Sequence, residues 1–101
     1  MTVTKEKEGS VLNIAISGSL DINTAPQLKA ELEGELDDIT EVYFDMKDCD
    51  YTSSAGLRVI LGTFQVMDEK EGRMVLKNVN ESFMSILEVT GFTDFLEIEN
   101  E

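Results

Sequence analysis

Across residues 11–17, VLNIAIS, large apolar side chains fall on alternate positions, with Leu12, Ile14 and Ile16 on one face and Val11, Asn13 and Ala15 on the other. A period of two is that of a strand with one buried face. A weaker alternation in TVTKEK at 2–7 predicts an edge strand, and EVYFDM at 41–46 predicts another with Val42, Phe44 and Met46 inward. RMVLKN at 73–78 and the short FLEIE at 95–99 have the same character.

Between these runs the period lengthens. After the connection GSLDIN, Ala25, Leu28, Leu32 and Leu36 recur at helical spacing. Asn23 or Thr24 supplies the cap, and Pro26 sits in the first turn, where a missing N–H costs little. A loop, KDCDYT, leads into a second helix from Ser54 to Lys70, ended by Gly72. Its inward stripe is Leu57, Ile60, Leu61, Phe64 and Met67, while Val59, Gly62, Thr63 and Val66 lie on a different side. Asn80 caps a third helix over 81–90, with Val79 and Met84 as a hydrophobic staple and Gly91 as its stop. Phe83, Ile86, Leu87 and Val89 face inward there.

The order β-β-α-β-α-β-α-(β) predicts an α/β fold. Four to five strands form a mixed sheet, parallel where right-handed crossovers join them, with three to four helices packed on it. No linker or repeat divides the chain, so a single domain is expected over 1–101. Binding loops in such sheets lie at the carboxyl ends of the strands. The segments holding Asp21 and the pair Ser53–Ser54 follow strands in that way.

Composition narrows the chemistry. Apolar residues make up 42% of the chain, an ordinary globular share, and no run of apolar residues is long enough to span a membrane. The opening MTVTKEKEGS lacks the basic-then-apolar pattern of a secretory signal. One cysteine, Cys49, excludes an internal disulfide and fits a reducing cytoplasmic location. Twenty-one acidic against eight basic side chains give a formal charge of −13, which opposes direct nucleic-acid binding and favours approach to a basic partner surface.

Histidine is absent, so neither a Ser-His-Asp triad nor a His-containing zinc site can be built. The acidic run Asp45, Asp48, Asp50 lacks the glycine, spacing and terminal glutamate of a calcium loop and reads as a solvated loop. Ser-Ser-Ala-Gly-Leu-Arg lacks the lysine and glycine spacing of a phosphate-binding loop. Asp48 and Asp50 disfavour the Cys49 thiolate. No metal, cofactor or catalytic residue is expected, although Asp21 with Asp45 leaves open a small acid–base enzyme, which requires a pocket at the strand ends.

Two hydroxyls at the mouth of a helix first suggest a cap. Other features point to a switch. Free N–H groups and the positive end of the helix dipole stabilise a phosphate there. Gly56 leaves room for the backbone of another molecule, and the second stripe of the helix suits a docked partner. A dianion on Ser54, near Asp21, Asp48 and Asp50, opposes such docking by repulsion and desolvation. For Asp21 the alternatives are partner contact and an Asx turn.

Three motifs resemble those of the STAS-domain anti-sigma factor antagonist family. They are G18-S-L-D-I-N-T-A-P-Q-L28, F44-D-M-K-D-C-D-Y-T-S-S-A-G-L-R-V-I-L61 and L87-E-V-T-G-F92. In that family the serine two places before the Gly-Leu pair is phosphorylated, and the corresponding position here is Ser54. Ser53 stands where aspartate is frequent, Ala55 where serine or threonine is, and Arg58 where some members have glycine.

The resemblance implies a cytoplasmic partner switch. The unphosphorylated protein binds an anti-sigma factor that is also a serine kinase, which frees a sigma factor. Phosphorylation of Ser54, with ATP supplied by the kinase, ends the complex, and a metal-dependent phosphatase resets it. Asp21, the family's G-x-L-D aspartate, and Asn23 are expected partner contacts. So are Thr52, Ser53, Ser54, Ala55 and Gly56 at the helix start, and Arg58, Val59, Gly62 and Val66 along it. The rival reading is a STAS subunit docked constitutively in a transport or signalling assembly, with Ser54 a plain cap.

Overall fold

The computed structural model describes residues 1–100. The chain runs β1 (Thr2–Glu8), β2 (Val11–Leu20), α1 (Ala25–Leu32), β3 (Glu41–Thr52), α2 (Ser54–Glu69), β4 (Arg73–Lys77) and α3 (Glu81–Val89). A 3-10 turn at Phe92–Asp94 and β5 (Glu97–Glu99) follow. The five strands form one sheet in sequence order. β1 and β2 make an antiparallel hairpin, and β2 through β5 are parallel. This is the mixed α/β sheet that the alternation of periods predicts.

Strand order explains the layering. Each helical crossover steps the same way across the sheet, and crossovers of one hand then place all three helices on one face. Buried residues from β2, β3 and β4 accordingly join residues of α1, α2 and α3 in one core that includes Leu12, Phe44, Leu76, Leu28, Ile60 and Phe83. The opposite face is polar. There Lys77 Nζ lies 4.8 Å from the centre of the Tyr43 ring, and the Tyr43 hydroxyl donates to Glu41 at 2.9 Å. Arg73 pairs with Glu97 beside it.

The segment KDCDYT is strand, not loop. Between Ala15 and Ser17 the partner strand advances from Asp45 to Asp48, and between Gly18 and Ser19 it advances from Cys49 to Tyr51. Each step inserts one extra residue into β3, a bulge that resets the alternation. Met46, Cys49 and Thr52 therefore all face the core although they are three apart. A strict period of two ends at Met46, which is why the sequence pattern stops there.

Other boundaries shift as well. α1 ends at Leu32, and the chain turns through Gly34 at φ +79°, so Leu36 packs against the core from outside the helix. Thr24 occupies the N-cap of α1 without a side-chain cap bond. At the end of α2 the left-handed residue is Glu71, at φ +59°, and not Gly72. Gly72 is needed for a different reason: a Cβ there would lie 2.8 Å from the Thr40 carbonyl oxygen. Asn80 does cap α3, accepting from the Phe83 N–H at 2.8 Å, and Gly91 stops it at φ +80°. Val89 is 88% exposed, contrary to its expected inward place, because it falls off the face defined by the buried Phe83 and Leu87.

Candidate functional site

The carboxyl ends of β2 and β3 are tied together where the Ser53 N–H donates to the Leu20 carbonyl at 3.1 Å. From this point α2 starts inside the protein. A Cβ on Gly56 would stand 2.7 Å from both Leu20 Cγ and Thr52 Oγ1 and 2.9 Å from the Leu20 carbonyl oxygen. Gly56 thus admits the chain's own β2 and β3, and not another molecule's backbone. Thr52 is also buried. Both residues support the expected docking surface from below and do not belong to it.

The two serines have different environments. Ser53 occupies the N-cap in extended conformation, yet its side chain makes no cap hydrogen bond. Its Oγ is buried and has no partner among the described residues. Ser54 is the first helical residue and is exposed. Arg58, also exposed, lies four residues on and therefore above the same face of α2.

Asp21 is engaged in a turn. Its Oδ1 accepts from the Asn23 N–H at 2.9 Å, the Thr24 N–H at 3.1 Å and Thr24 Oγ1 at 3.2 Å. The backbone donors at Asn23 and Thr24, in that order, hold its pKa below the ordinary aspartate value. This is the Asx geometry, and it commits the carboxylate to starting α1 instead of acting as a free base. Asp45 is likewise occupied, accepting from the Lys47 N–H and from Asn78 Nδ2, each at 3.1 Å. Burial, first, and Asp50, among lesser causes, push the Cys49 thiol up.

Along α2, Ala55, Arg58, Val59, Gly62 and Val66 line one side of a groove of about 710 Å³. The other side comes from α1 and its flanks, with Ile22, Pro26, Lys29 and Leu36 among the lining residues. Ile22 is 74% and Val66 42% exposed. Thr63 lines the groove beside them as expected, although it is only 5% exposed and its hydroxyl donates back to the Val59 carbonyl at 3.0 Å. The expected α2 residues therefore meet on one wall, whereas the α1 wall was missed. Its signal was present in Ile22 and Pro26, which fall outside the stripe of Ala25, Leu28 and Leu32.

A mixed sheet with its helices on one face, an exposed serine at a helix start and an apolar groove beside it characterise this domain of the α/β class. The STAS domain family matches residues 2–101, and the chain belongs to this family, among its anti-sigma factor antagonists. It is 29% identical over 97 residues to the anti-sigma-B factor antagonist of Listeria monocytogenes, covering 95% of this chain and 85% of that protein. The same identity holds over 94 residues with the anti-sigma-B factor antagonist of Bacillus subtilis, covering 93% and 85%. In fold it is similar to the unphosphorylated anti-sigma factor antagonist SpoIIAA, at a TM-score of 0.77 and 17% identity over 96% of this chain and 86% of that one. The phosphorylated form of SpoIIAA, a Bacillus cell fate determinant, gives the same score and identity over 96% and 90%.

Proposed function

We propose that this protein is an anti-sigma factor antagonist switched by phosphorylation at Ser54. Unphosphorylated, it docks through Ser54, Ala55, Arg58, Val59, Gly62 and Val66, with Asp21 and Asn23 at the adjoining turn, onto an anti-sigma factor with serine-kinase activity. Docking in the cytoplasm frees a sigma factor. Transfer of the ATP γ-phosphoryl group to the Ser54 oxygen, with loss of the hydroxyl proton and release of ADP, ends the association. A phosphatase restores the hydroxyl by hydrolysis.

The observation that carries this reading is the exposed position of Ser54 one place after an N-cap that another residue occupies. A cap role for Ser54 finds no support in that geometry. The relatives' names supply the class of partner, and SpoIIAA is known in phosphorylated form. Physically, a phosphate brings roughly two negative charges and three acceptor oxygens to a surface that must lose water on docking. The dipole of α2 stabilises that charge locally, so the switch acts on binding and leaves the fold intact.

The test is incubation with a kinase-type anti-sigma factor and ATP, followed by mass spectrometry to locate the phosphate. Wild type is modified at Ser54 and Ser54→Ala is not. Ser54→Asp lowers the affinity for the anti-sigma factor by about tenfold or more, at least about 1.4 kcal/mol. Equal binding of Ser54→Asp and wild type would refute the switch.

A further inference from the structure

The groove between α1 and α2 carries a charge pattern that specifies its occupant. Of the eight basic side chains, five are engaged within the protein. Lys5 pairs with Glu31, Lys7 with Asp38 and Arg73 with Glu97, while Lys70 donates to the Ile39 carbonyl and Lys77 lies over Tyr43. Lys29, Lys47 and Arg58 have no such partner among the described residues. Two of these three, Lys29 and Arg58, line the groove. In a chain of net charge −13, an apolar trough is thus lined by two uncommitted cations, Lys29 from α1 and Arg58 from α2, against one acidic side chain, Glu33.

We infer that the groove receives an amphipathic helix of the partner, laid between α1 and α2, with an apolar ridge flanked by acidic side chains that meet Lys29 and Arg58. This rests on the docking face of α2 assigned above and names what that face binds. A helix fits because Ile22 and Val66 stand too far into solvent for a small ligand to cover, whereas a helix laid in a groove buries such side chains along its ridge. An anionic membrane surface is opposed by the net charge. The same charge opposes a partner that is acidic throughout, so the acidic side chains are local to the docked helix.

The floor is prepared for it: a Cβ on Gly62 would meet nothing within 4 Å, so open space lies above that position. The inference also explains how Ser54 reports to the groove. Ser54 and Arg58 are one turn apart on α2, within reach of a phosphate–guanidinium pair. A phosphate on Ser54 engages Arg58 and repels the acidic flank of the incoming helix.

The probes are two helical peptides of about four turns, sharing one leucine ridge and flanked by Glu in one and Lys in the other. Binding to the full-length protein is followed by amide chemical shifts near physiological salt, where the Debye length is about 8 Å. The Glu peptide is expected to bind about tenfold tighter and to shift Ile22, Val59 and Gly62, although the net charge favours the Lys peptide. Arg58→Glu reverses the order. Gly62→Leu fills the groove and abolishes binding of both while circular dichroism and the melting midpoint show an intact fold.

Equal binding of the two peptides, shifts confined to another surface, or binding unaffected by Gly62→Leu would overturn the inference. So would a dimer of the free protein that Gly62→Leu dissociates, since the occupant would then be a second copy. The intact anti-sigma factor separates this inference from the switch. Loss of binding with Ser54→Asp but not with Gly62→Leu overturns the groove and leaves the switch standing. Selective binding of the Glu peptide, together with indifference to Ser54→Asp, does the reverse.

Discussion

Gly56 and Gly62 sit six residues apart on the same helix and have opposite requirements. At Gly56 a methyl group would collide with the Leu20 backbone oxygen at 2.9 Å, and a backbone atom cannot swing aside. Gly56→Ala is expected to destabilise by about 1–3 kcal/mol, the usual cost of overpacking. At Gly62 a methyl group meets open space, so Gly62→Ala is expected to stabilise by about 0.5–1 kcal/mol through helix propensity alone. Urea unfolding of the two variants checks both signs. Asp21 adds a pH signature. Its folded pKa is depressed by the Asn23 and Thr24 N–H groups, so its contribution is present above the ordinary aspartate pKa and is lost as pH falls through the folded value. Carboxyl chemical shifts should give a midpoint for Asp21 below the model-peptide value of about 3.9, and a midpoint at or above it would remove the Asx turn.

At the scale of elements, α2 and α3 start in contrasting ways. Asn80 satisfies the Phe83 N–H and donates through Nδ2 to the Cys49 carbonyl at 3.0 Å, which ties α3 to β3. Asn80→Ala should cost about 1–2 kcal/mol. Ser53 holds the corresponding position on α2, but its buried hydroxyl has no partner among the described residues. Removing an unsatisfied buried hydroxyl relieves a desolvation cost, so Ser53→Ala should be neutral or stabilising by up to about 1 kcal/mol. Thermal melts of the pair discriminate; a loss in Ser53→Ala equal to that in Asn80→Ala would mean that Ser53 caps after all. The start of α2 is thus held by the Gly56 contact and by the Ser53 N–H to Leu20 bond, which leaves Ser54 free of a structural task.

For the whole molecule, the net charge of −13 opposes compaction through self-repulsion. The ion pairs are surface pairs, such as Lys5 with Glu31 at 3.0 Å, and such pairs contribute little each. Raising salt from about 10 mM to about 150 mM shortens the Debye length from about 30 to about 8 Å. The melting midpoint should rise as repulsion is screened; a fall would mean that the ion pairs outweigh it. The two faces of the sheet divide the labour. Helices cover one face and create the groove, while Tyr43, Arg73, Lys77, Glu41 and Glu97 fill the other with polar contacts. No described helix is long and apolar enough to cross a membrane.

Periodicity in this chain determined the elements and their order, because alternation in β2 and helical spacing in α2 and α3 each reflect one buried face, which any fold of these segments must respect. It also placed Asn80 and Gly91 at the ends of α3 and put Val59, Gly62 and Val66 on one side of α2. The bulges of β3 were hidden, since an inserted residue breaks the very alternation by which a strand is recognised. Whether Gly56 opened outward or inward depended on Leu20 and Thr52, brought to it from two strands. The second wall of the groove required α1 to lie beside α2, and the meaning of Lys29 and Arg58 emerged only once the partners of the other cations were known. Local pattern records which side of an element avoids water; only packing decides what two elements, placed together, leave uncovered between them.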